Sequence, residues 1–176
     1  AVAGALAAGR RVDALALALA ERLADRELFE LVIDYADEPE ALAAVAAVSR
    51  SLEPASALAA LERASRRADI GSAAVLEAGR LAASDDRARA FLFEALADPG
   101  VAPSAAAALA RLGDSTVSAE IGRRLAKASA DGEQRLLVLA LELDGSPAAR
   151  AELERFAKTG AGSPQLRAKL DRWLDR

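Results

Sequence analysis

The chain has 176 residues, enough for one ordinary domain, and its net charge of −4 argues against a general polyanion binder. It contains no cysteine and no histidine, which excludes disulfides, thiolate or imidazole metal sites, and any Ser–His or Cys–His catalytic pair. More than a quarter of the residues are alanine and only 3% are aromatic, so a core must come from helices in close approach. Residues that favour strands are sparse, and the expected class is all-α.

Taken in chain order, apolar periodicity and turn residues predict a helix remnant over 1–9 and a first full helix over 11–24. Helices then follow over 26–37, 39–52, 54–68, 71–83, 85–98, 102–113, 115–129, 133–144, 147–159 and 164–175. They alternate as first and second members of pairs. Within pairs the breaks fall at ADIG, DPG, ADG and GAGSP, where glycine is expected to end a helix in the left-handed conformation. Between pairs they fall at EP, SDD, GDS and GSP, and Ser115, Ser146 and Ser163 are expected to cap the helices that follow.

The pairs repeat. A step of about 31 residues along the second helices gives Ala16, Ala47, Ala78, Leu109 and Ala140, and again Leu81, Leu112, Leu143 and Leu174. On the first helices the same step gives Ala64, Ala95, Ala126 and Ala157. Ala44, Ala47, Val48 and their equivalents share one helical face and are expected to be buried. Arg135–Leu143 is apolar nearly all round and is expected to be the most enclosed helix.

The stretch LADPGVAPSAAAALARLGD, with a weaker copy in LAASDDRARAFLFEALADPG, resembles the HEAT-like family of α-solenoids, including its short bacterial PBS-lyase-like type. The Leu-rich segment Glu133–Asp144 departs from that pattern, and tetratricopeptide marks are missing. The resemblance implies one right-handed α-solenoid domain over 1–176, of about six helix pairs, with the first repeat truncated and the last acting as a cap. It also implies a concave working surface on the second helices. The arginine-rich composition resembles that of high-GC bacterial proteins.

On that surface the fixed step aligns Arg11, Ala73, Ser104, Arg135 and Leu166 in one row. A neighbouring row holds Ala18, Ser49, Arg80, Arg111, Glu142 and Trp173. Arg80, Arg111 and Arg135, with Leu139 between them, could grip an acidic partner segment through guanidinium–carboxylate forks, or could be ordinary solvated residues. Trp173 is read either as a binding anchor or as a cover for the open end of the last pair.

Residues 25–40 hold seven acids against one arginine. They form a solvated face, or a dock for a basic partner or a hard cation through Asp34, Asp37 and Glu38; Phe29, Leu31, Val32 and Tyr35 are expected to anchor that helix. Arg63, Arg66 and Arg67, and Arg123, Arg124 and Lys127, are basic clusters on first helices. Acids lie among them and aromatic stacking partners are missing, which argues against nucleic acid.

The expected function is therefore a protein-interaction scaffold or regulatory module that binds a peptide or domain, not an enzyme, with no cofactor and no membrane span. One alternative is a structural terminal segment of a larger repeat protein; another is a nucleic-acid-binding or repair module. The chain begins at Ala1 without methionine and is expected to have been trimmed or cut from a longer one. A cytoplasmic location is favoured, with a removed leader left open.

Overall fold

Pairs of short amphipathic helices, each too small to bury its apolar face alone, need neighbours to cover them. A computed structural model describes residues 14–175, and among these it holds eleven α-helices and no strand. They are α1 (Ala14–Leu23), α2 (Arg26–Tyr35), α3 (Glu38–Ser51), α4 (Pro54–Ala64), α5 (Gly71–Leu81) and α6 (Asp86–Ala95). Then come α7 (Ala102–Arg111), α8 (Ser115–Lys127), α9 (Asp131–Asp144), α10 (Pro147–Lys158) and α11 (Pro164–Leu174). The expected helices in 14–175 are all present, several with shorter ends; the remnant over 1–9 lies outside the described residues. Among the described residues, no helix is long and apolar enough to cross a membrane.

Packing is local along the chain. The helices pack mainly against chain neighbours and next-but-one neighbours. The odd-numbered helices α1, α3, α5, α7 and α9 pack in sequence, most extensively at α5–α7 and α7–α9. Direct packing among the even-numbered helices is strongest at α8–α10 and also joins α2 to α4.

Burial follows one pattern on the odd helices. Ala41, Ala44, Val45, Ala47 and Val48 are buried on α3, and Gly71, Ala74, Val75, Glu77 and Ala78 on α5. Ala102, Ala105, Ala106, Ala108 and Leu109 take the same places on α7, and Gln134, Leu137, Val138, Ala140 and Leu141 on α9. The register slips by single residues between repeats, so a fixed step follows the helices only approximately. Ala126, placed with Ala64 and Ala95 by that step, is in fact exposed, and Leu125 beside it is fully buried. Small side chains set the closeness of these stacks: a Cβ added at Gly79 would stand 3.0 Å from the Cβ of Ala108.

Several local expectations are corrected. Asp114, not Ser115, caps α8, accepting the Thr116 N–H at 2.8 Å, because a carboxylate one residue earlier reaches that donor. Ser146 and Ser163 do cap α10 and α11. Among the expected within-pair glycine ends, only GAGSP takes positive φ, at Gly160 and Gly162; Gly113 and Gly145 do so between pairs. Gly71 instead begins α5, where a Cβ would fall 2.5 Å from the Ser65 carbonyl oxygen. The helix Arg135–Leu143 is not enclosed on all sides: Leu143 is 54% exposed. Tyr35, expected as an anchor, is 49% exposed, while Phe29, Val32 and Ile33 carry the buried face of α2.

Candidate functional site

The odd helices present their less buried face as a strip. Leu42, Ala46 and Ser49 lie on it, as expected, all half-buried or exposed. At its middle, Leu42, Val45, Ala46, Ala73, Leu76, Glu77, Arg80 and Arg111 line one groove of about 210 Å³. A second hollow beside it, about 310 Å³, is again bordered by Arg80 and Arg111. The structure thus brings two of the sequence-predicted arginines together over an apolar floor.

Their electrostatic settings differ. Arg80 reaches Glu77 one turn back, at 3.1 Å. Glu77 is nearly buried and also accepts the Ser49 hydroxyl from α3. A carboxylate buried this deeply needs such donors to offset lost hydration. Arg111 is exposed, and among the described residues its guanidinium makes no hydrogen bond or ion pair. It is a cation available to a partner.

The other predicted residues lie apart. Arg135 is tied to Asp131 at 2.7 Å and to Gln165 at 3.0 Å, and it lines a different groove with Leu139 and Lys169. Leu139 is therefore not in the groove that Arg80 and Arg111 share. Glu142 binds Lys169 at 2.5 Å and borders a hollow with Trp173. Its Oε1 is buried without a hydrogen-bond partner among the described residues. Trp173 is half-buried against the core, with the Arg150 guanidinium 5.6 Å from its ring centre. Arg11 lies outside the described residues.

The basic clusters are largely engaged within the fold. Arg63 forks onto Asp34 of α2, with Nε at 2.8 Å, and this contact holds its guanidinium more firmly protonated than usual. Arg67 grips Asp69 and the carbonyls of Ile33 and Ala36 at the end of α2. Arg123 and Arg124 share Glu120, whose pKa is lowered chiefly by the Arg124 hydrogen bond. Arg124 also covers the Phe93 ring at 4.5 Å. Asp34 and these four arginines thus already have partners inside the molecule.

Sequence reasoning missed two features. One is the apolar cleft of about 540 Å³ bordered by Phe93, Leu96, Pro99, Arg124, Leu136 and Leu137, where α6, α8 and α9 meet. Its walls come from helices of different pairs, so no single stretch announces it. The other is Arg50, which a fixed step places out of line with Arg80. Comparison of the chain with protein-family models, curated proteins and solved structures finds no match.

Proposed function

We propose that this chain is a right-handed α-solenoid of HEAT-like helix pairs that serves as a protein-interaction scaffold. The recurring burial pattern and neighbour-to-neighbour packing support the solenoid, because they describe repeats that cover one another along a line. Its working surface is the strip of odd-numbered helices.

One observation carries the binding reading: the groove that joins the exposed Arg80, held by the buried Glu77, to the unpaired, exposed Arg111 above Leu42, Ala46 and Leu76. A fixed guanidinium beside an available one, over an apolar floor, provides both charge recognition and buried area. The test is affinity capture with wild type and an Arg80→Glu plus Arg111→Glu variant, both checked by circular dichroism. A partner held by wild type and lost by the variant is expected. Equal recovery on both would remove the binding surface from this strip.

A second reading, a segment whose α1 end stacks on further repeats, is favoured by Leu15 and Leu23, 63% and 62% exposed. Sedimentation and anilinonaphthalene dye binding test it. A monomer that binds no dye would count against it.

A further inference from the structure

Aligned on their buried positions, α3, α5 and α7 bring Arg50, Arg80 and Arg111 to one equivalent place in the last helical turn. On α1 the buried Ala16 and Ala20 take the places of Ala44 and Val48 on α3, which sets Arg22 level with Arg50. Each arginine lies one turn beyond an apolar residue of the strip: Ala18, Ala46, Leu76 and Ala107.

These four helices pack successively, so their axes lie about 8–10 Å apart and the guanidinium groups form a row on the order of 30 Å long. All four arginines are exposed. Among the described residues the side chains of Arg22, Arg50 and Arg111 make no hydrogen bond or ion pair, and Arg80 has Glu77. The helix dipole favours arginine in any last turn, yet α2, α6 and α9 have no basic residue there. The dipole alone does not produce an unbroken row on four stacked helices. The row ends at α9, which puts Leu143 in this place and carries Asp131, Glu133, Glu142 and Asp144 against Arg135.

Resting on the interaction reading above, we infer that the partner is an extended acidic peptide segment laid across α1, α3, α5 and α7. A polyproline-II strand has three residues per turn and rises about 3.1 Å per residue, so every third side chain returns to one face after about 9 Å. That matches the helix-to-helix distance. A carboxylate at every third position meets one guanidinium per helix, in the fork geometry that arginine favours. Nucleic acid fits less well, because the floor has no aromatic ring on which bases could stack.

The test is fluorescence anisotropy with a labelled peptide of about twelve residues, Glu-Pro-Ala repeated, whose spacing follows the three-residue turn. Its controls are an isomer with the glutamates adjacent and a single-stranded oligonucleotide. The spaced peptide is expected to bind about tenfold more tightly than the isomer, and Arg50→Glu or Arg111→Glu to weaken it about tenfold each. Equal affinity for both peptides, an Arg50→Glu variant without effect, or tighter binding of the oligonucleotide overturns the inference. If a captured partner is lost from the Arg80/Arg111 reversal while the spaced peptide fails to bind, the scaffold reading stands and this inference falls. If capture ignores the reversal, the reading beneath it falls as well.

Discussion

Ser49 on α3 donates its hydroxyl to the carboxylate of Glu77 on α5, and Glu77 occupies the place that Ala47, Ala108 and Ala140 fill on α3, α7 and α9. A small residue is therefore already compatible with this stack. Removing one partner of a buried ion pair strands the other, but Arg80 is exposed and its guanidinium stays hydrated when Glu77 is gone. Glu77→Ala should change unfolding free energy by no more than about 1 kcal/mol. Ser49→Ala, which strips the carboxylate of a donor, should cost about 1–2 kcal/mol. Urea unfolding of both variants checks this, and a loss well above that range for Glu77→Ala would show the pair to be a structural requirement.

The core makes a sharper contrast within one helix. Leu137 is 1% exposed and Leu143 is 54% exposed, although both belong to the same apolar run of α9. Leu137→Ala should cost about 2–5 kcal/mol through lost burial and a residual cavity. Leu143→Ala should stay within about 0.5 kcal/mol. Comparable losses at the two positions would mean that α9 is enclosed after all.

Much of this arrangement was legible because it is local. Helix positions followed from apolar spacing and from Gly, Pro, Ser and Asp at the breaks, and the buried row Ala47, Ala78, Leu109 and Ala140 followed from the repeat itself. What escaped depends on register and on contacts between repeats. A one-residue slip turns a helical position by about 100°, which is why Ala126 faces solvent and why Arg50 rather than Ser49 aligns with Arg80. Besides their carboxylate partners, Arg67 and Arg124 reach backbone carbonyls 31 to 34 residues away, Ile33 and Ala36 for the first and Phe93 for the second. No side-chain pattern encodes those acceptors.

Two glycines should respond to alanine in opposite senses. Alanine is the better helix former by about 1 kcal/mol, and at Gly132 on α9 an added Cβ meets nothing within 4 Å. Gly132→Ala should stabilise by about 0.4–1 kcal/mol. At Gly71 the same Cβ would press on the Ser65 carbonyl oxygen, backbone that cannot swing aside, so Gly71→Ala should destabilise by about 1–3 kcal/mol. Thermal melts of the two variants give the comparison. A stabilised Gly71→Ala protein would show that the α4–α5 turn relaxes freely.

Acid should loosen the structure through three carboxylates held below their usual range. Asp114 is lowered chiefly by the Thr116 N–H that it accepts in capping α8, Asp69 by the Arg67 fork, and Glu120 by the Arg124 hydrogen bond. A depressed folded-state pKa means that the native state binds the proton less readily than the unfolded chain. The stabilisation is therefore complete above the ordinary carboxylate range and is lost as pH falls from about 4 through the lowered values. Wild type should show a clear fall in its urea midpoint between neutral pH and pH values near about 3, within that range. The double variant Asp114→Asn, Glu120→Gln should begin lower at neutral pH and lose less on acidification, because two of the groups that titrate have been removed. An identical fall in both proteins would place the acid sensitivity in other carboxylates.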